Sequence, residues 1–178
     1  DGMVVKDGCG GRRRSTTSGE LGRAGGRTVA LLRQSRLQPG DSVLLFHSMS
    51  AELYISLAAI LRCGLTAMFI DPSAGRRHID RCCRLLPPQA LVANSKAHLL
   101  RLLSPSLRRI PRKFSLGGHI PGACPLESAA RFEYKSDIRP CDADTPALVS
   151  FTSGSTGEPK AALRTHGFLL AQHQAIEE

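Results

Sequence analysis

The chain has 178 residues, 42% hydrophobic and 22% charged, a balance apolar enough to bury a core and unlike that of a disordered tail. Lys+Arg number 24 against 15 Asp+Glu, a net charge of +9, yet 19 of the cations are Arg and 5 are Lys amid many Ala and Gly, so the surplus reads as compositional bias rather than a built patch. Aromatic residues make up 4% with no Trp, which weighs against a reader of unpaired bases, and no nucleic-acid partner is expected.

Cys9, Cys63, Cys82, Cys83, Cys124 and Cys141 form no C-x-x-C pair and read as reduced thiols. His47, His78, His98, His119 and His173 show no metal-ligand spacing, so no metal ligand is assigned. Residues 1–20 contain no signal-peptide apolar region. The apolar stretch Leu53 to Ile70 is broken by Arg62, Cys63 and Gly64, giving a helix, a stop and a strand rather than a transmembrane segment. The expectation is a cytoplasmic protein. Its opening at Asp1 without Met and its end at Glu178 inside a helical run read as those of a fragment.

In chain order, residues 1–16 read as a flexible Gly/Arg-rich leader, since Cys9-Gly10-Gly11-Arg12-Arg13-Arg14 has no apolar period. Thr17 and Glu20 have the form of a capping box ahead of a helix with Leu21, Ala24, Thr28 and Leu31 at helical spacing; Gly22, Gly25 and Gly26 weaken it. Gln38-Pro39-Gly40-Asp41 is a turn, and Val43 to Phe46 is a strand covered on both faces. Ser50 caps a helix over Ala51 to Cys63, Gly64 stops it, and Thr66 to Ile70 is the next buried strand. Ile79, Cys82, Cys83 and Leu86 mark an amphipathic helix with Arg77, Arg81 and Arg84 outside, ended by Pro87-Pro88. Ala90 to Ala93 is a third strand, Ser95 a cap, and Leu99 to Leu103 a short helix broken by Pro105. This alternation predicts an α/β fold, a doubly wound, mostly parallel sheet flanked by helices, with ligands outside the C-terminal ends of its strands. Residues 105–146, rich in Pro, read as a long irregular connection with one short strand at most, its Arg108, Arg109, Arg112 and Lys113 forming a solvated loop.

The informative stretch is Ala147 to Lys160, ALVSFTSGSTGEPK. A buried strand runs into a loop of glycines and hydroxyls that ends in a lysine. Gly154 and Gly157 let backbone N–H groups turn inward as an anion nest, Ser153, Ser155 and Thr156 add donors, and Lys160 adds a mobile positive charge. It is not a Walker A loop, because Lys160 does not directly follow the second glycine. Nor is it a G-x-S-x-G nucleophile elbow.

FTSGSTGEPKAALRTH resembles the phosphate-binding signature of the acyl-adenylate-forming (AMP-dependent synthetase/ligase) enzymes. Thr17-x-x-Glu20-Leu21, Leu37-x-Pro39-Gly40-Asp41-x-Val43, the Glu52-to-Gly64 helix and Ile70-Asp71-Pro72 agree, so the resemblance covers about residues 17–178, read as part of an AMP-binding N-terminal domain. Within it, IDPSAGRRHIDRC, KAHLLRLL and RRIPRKF are similar to a bacterial fatty-acid CoA ligase and olefin-pathway β-lactone synthetase subgroup. Ala161 departs from the usual Gly after the lysine, and Ser18 from the usual aromatic after Thr17.

The resemblance implies attack of a fatty-acid or 3-hydroxy fatty-acid carboxylate on the α-phosphate of Mg2+-bound ATP, then transfer to CoA or closure to a β-lactone. It gives phosphate-binding roles to Thr152, Ser153, Gly154, Ser155, Thr156, Gly157 and Lys160. No catalytic residue falls within the chain, and the Mg2+ ligands are expected mostly outside it, so the chain alone is expected to be inactive. His166, beside Thr165, could lie near the nucleotide, though a structural histidine is the simpler reading. The competing readings are a non-catalytic ATP-binding or scaffold protein and a basic nucleic-acid module.

Overall fold

The computed structural model describes residues 5–6, 15–16, 18–47, 49–134, 138–153 and 158–177. Most of the predicted leader and the Thr17 cap lie outside these. At the ends of the leader stretch, β1 (Val5–Lys6) pairs antiparallel with β2 (Ser15–Thr16).

Helix α1 (Ser18–Gln34) leads to β3 (Ser42–Phe46), α2 (Ala51–Arg62) and β4 (Thr66–Phe69). Helix α3 (Arg76–Leu85), β5 (Ala90–Asn94), α4 (Ser95–Leu103), α5 (Pro105–Arg109), β6 (Arg112–Leu116) and β7 (Cys124–Pro125) follow. The hairpin of β8 (Pro146–Ser153) and β9 (Pro159–Thr165) precedes α6 (His166–Glu177). Seven strands form one sheet in the order β7-β6-β5-β3-β4-β8-β9, parallel except where β9 runs antiparallel to β8. The predicted doubly wound, mostly parallel sheet is therefore what the chain forms.

The sheet is sandwiched because its central strands are apolar on both sides. On one face Val43, Leu45, Ala67, Val92 and Phe114 pack with Val29 and Leu32 of α1 and Ile60 of α2. On the other, Leu44, Met68 and Leu91 meet Ile79, Cys82 and Cys83 of α3 and Leu107 of α5. Alternate side chains of one strand thus feed two separate cores.

Local signals set the boundaries. The Ser50 side chain accepts a hydrogen bond from Leu53 N at 3.3 Å at the start of α2. Gly64 follows the Cys63 C-cap at φ 69°, the left-handed conformation that any other side chain would strain. Ser50→Ala should cost about 1 kcal/mol, read as a lower urea midpoint; an unchanged midpoint would show that water serves the freed N–H equally well.

The expected first helix forms as α1 and runs without a break through Gly22, which is exposed, and Gly25 and Gly26, which are buried. Two expectations are corrected. The cap of α4 is Asn94, whose side chain accepts from Ala97 N at 2.9 Å, so the helix begins at Ser95 instead of being capped by it. The 105–146 connection holds a helix, two sheet strands and a 3-10 helix at Leu126–Arg131. Pro105 starts α5 in its first turn, where the missing N–H costs nothing. Arg112 and Lys113 sit on β6, with Arg112 Nε donating to Ser35 O at 2.8 Å and Lys113 Nζ to Ile110 O.

His98 ties α4 to β6. It is 4% exposed, its Nε2 lies 3.0 Å from Phe114 O, and its Nδ1 lies 3.1 Å from Arg101 Nη1. A neutral ring with the proton on Nε2 satisfies both contacts. Burial, aided by the Arg101 and Lys113 charges, lowers its pKa below the usual histidine value. The unfolded chain therefore takes up a proton below about pH 6.5 that the folded chain resists, and stability falls as pH drops from there toward the lower folded pKa. His98→Gln, which keeps an N–H donor but cannot titrate, should lose less stability than wild type between about pH 7.5 and pH 5.5. Equal losses in chemical denaturation would show that His98 carries none of this dependence.

Candidate functional site

The β8–β9 hairpin presents the hydroxyl-rich segment. Its antiparallel register places Thr152 opposite Lys160 and Ser153 opposite Pro159. Gly154, Ser155, Thr156 and Gly157 lie outside the described residues. Directly opposed residues share a face with Cβ atoms about 5 Å apart, so Thr152 and Lys160 point the same way. Both are exposed. One hydroxyl and one ammonium thus stand side by side, both exposed, where the ribbon leads into residues 154–157.

The hairpin's position follows from topology. β8 runs parallel to β4, with Phe69 paired to Ser150, so the loop leaves the sheet beside the end of β4. From β3 the chain steps to β4 on one side and then crosses to β5 on the other, which opens a crevice at these C-terminal ends. His47 follows β3 there, with Nδ1 at 3.2 Å from Ser50 Oγ. Asp71 follows β4 and accepts from Ser73 N at 2.8 Å and Ser73 Oγ at 2.7 Å. These hydrogen bonds, the hydroxyl's first, hold the Asp71 carboxyl below the usual carboxylate range. Among the described residues, no group of three His, Cys, Asp or Glu is arranged to hold a metal ion.

Arg81 lies on the exposed helix face expected of it and from there reaches Glu158 at 3.7 Å, linking α3 to the loop's exit. Both partners are substantially exposed, so the pair positions more than it stabilises. His166 follows Thr165, which pairs with Pro146 at the far end of the ribbon. Six strand steps from Pro159 amount to about 20 Å, so His166 is remote from the loop. Its backbone N–H donates to Thr145 O at 3.0 Å, while Nε2 is buried without a hydrogen-bond partner.

Arg164 is a cation that motif reading passes over. It lies on the same ribbon face as Lys160, since both alternate with Ala161 and Leu163, and its Nη1 donates to Ser150 Oγ at 3.3 Å. Nothing in its sequence neighbourhood marks it.

Residues 3–178 match the family described as AMP-binding enzyme. The chain belongs to the AMP-binding enzyme family. Among curated members it is 29% identical over 133 residues to the olefin β-lactone synthetase of Stenotrophomonas maltophilia, covering 71% of this chain and 24% of that protein. It is 30% identical over 145 residues to the fatty acid–[acyl-carrier-protein] ligase MmaC of Mycobacterium marinum, covering 77% and 26%. The chain therefore spans about a quarter of the length of these AMP-binding relatives. The solved acetoacetyl-CoA synthetase of Streptomyces lividans shares the fold with a TM-score of 0.82 at 22% identity, over 91% of this chain and 27% of that one.

Proposed function

We propose that the protein is an ATP-dependent ligase that activates a fatty-acid carboxylate as its acyl-adenylate, and that 152–160 is its phosphate cradle. The observation that carries this is the pairing of exposed Thr152 and Lys160 across the T-S-G-S-T-G-E-P-K hairpin at the C-terminal end of the sheet. Two glycines in such a sequence allow backbone N–H groups to turn toward an anion, and hydroxyl residues such as Ser153, Ser155 and Thr156 are the donors such a cradle would use. Lys160 adds the charge that the β- and γ-phosphates require.

In the reaction a carboxylate oxygen bonds to the α-phosphorus of ATP. The bond from that phosphorus to the bridging oxygen breaks, and pyrophosphate leaves. The cradle's contribution is to hold the departing phosphates in line and to stabilise charge as it builds on the leaving oxygen. Mg2+, when bound, would neutralise phosphate charge, but the described residues offer it no cluster of ligands, so no step is assigned to it here. The names of the curated relatives support two fates for the adenylate: transfer to a carrier thiol, which is an acyl-carrier protein in the name of MmaC and which we take to be CoA here, and closure to a β-lactone, the second needing a 3-hydroxy acid.

The test is acid-dependent ATP–pyrophosphate exchange. With ATP, a long-chain fatty acid and labelled pyrophosphate, the full-length protein should return label to ATP only when the acid is present. ATP binding without acid-dependent exchange would instead identify a non-catalytic nucleotide binder. Product analysis after adding CoA, with plain and 3-hydroxy acids compared, separates the two fates.

A further inference from the structure

Outside the crevice, α4 turns a second set of side chains outward. Leu99, Leu102 and Leu103 stand at i, i+3 and i+4, on one face of the helix, and are 63%, 74% and 61% exposed. The inward face of α4 is filled by His98, so these three leucines take no part in the core. Lys96, also exposed, lies one turn before Leu99 on the same face. Leu99 and Leu102 further line an open hollow of about 290 Å³ with Ile120, Pro121, Arg101 and Arg108.

The charge carried by α4 and α5 has one sign, since neither contains an acidic residue. The nearby acid is Asp80 of α3, engaged by Ser104 Oγ at 2.6 Å and Ser106 N at 3.3 Å. An apolar ridge whose own helices carry only cations complements a surface that offers hydrocarbon beneath phosphate. A protein partner is a poorer match, because binding energy at such interfaces concentrates in aromatic anchors, with leucine under-represented.

We propose that this α4 face is a peripheral docking surface for anionic lipid bilayers. Leu99, Leu102 and Leu103 enter the boundary between headgroups and acyl chains, and Lys96, Arg101 and Arg108 meet the headgroup phosphates. The proposal uses neither Lys160 nor the phosphate loop, so it stands or falls separately from the adenylation reading.

Vesicle co-sedimentation tests it. The protein should bind vesicles of equal parts phosphatidylglycerol and phosphatidylcholine, bind pure phosphatidylcholine poorly, and release as salt rises. Leu99→Ser/Leu102→Ser/Leu103→Ser should lower binding at least about tenfold, and Lys96→Glu/Arg108→Glu should lower it by the electrostatic route. All five positions are substantially exposed, and unchanged circular dichroism would confirm that each variant folds. Because the chain has no Trp, Leu102→Trp adds a single reporter whose emission should shift to the blue on vesicles. Absence of vesicle binding, full binding by the serine variant, or a dimer that becomes monomeric in that variant without vesicle binding would each overturn the proposal, the last in favour of self-association.

Discussion

Lys160→Ala should lower fatty-acid-dependent ATP–pyrophosphate exchange by about a hundredfold, with no change in the urea midpoint. The fold does not depend on this side chain, which is exposed at the start of β9. What is lost is the one formal positive charge within the hydroxyl-rich segment, which on the proposed reading faces the leaving pyrophosphate. Lys160→Arg should recover part of the rate, since it restores the charge but replaces a compact ammonium with a planar guanidinium. Wild-type exchange in the alanine variant would remove Lys160 from the cradle.

Phe114→Ala should cost about 3–5 kcal/mol in urea unfolding, the range for deleting a buried aromatic ring. The ring is 2% exposed and packs in the core beneath α1 and α2. Its strand lies between β5 and β7, so the cavity would open inside the sheet rather than at a margin able to collapse. A cost below about 1 kcal/mol would mean that β6 merely decorates a domain held together by β3, β4 and β5.

That result would also measure what the sequence conceals. β3, β4 and β5 are legible because a strand covered on both faces needs a continuous apolar run, and SVLLF, TAMF and ALVAN supply one. β6, RKFSL, begins with two cations whose charged ends bond backbone carbonyls of Ser35 and Ile110, so its last three residues alone betray it. Pro105 reads as a breaker until its place in the first turn of α5 is known, because one residue serves both purposes. The candidate site divides similarly. The proposed phosphate cradle rests on a local pattern, two glycines, several hydroxyls and a lysine within nine residues, which a linear reading can pick out. The Arg81–Glu158 link depends on how separated segments meet, of which a linear pattern holds no trace, whereas the distance of His166 follows from the extended run of β9.

The pairing of β8 with β4 has a kinetic consequence. Thr66 Oγ1 donates to Pro146 O at 3.2 Å across a separation of 80 residues, and closing so long a loop is entropically slow compared with joining β3, β4 and β5. The β8–β9 hairpin should therefore be the late-docking unit of the domain and the early one to detach. In native-state hydrogen exchange, amides of Leu148 to Phe151 should open at lower free energy than those of Val43 to Leu45; equal protection would instead make the sheet one cooperative unit. A lesion in β4 at Met68, fully buried and paired with Val149, would then silence the site by leaving the hairpin undocked while every residue of the loop remained intact.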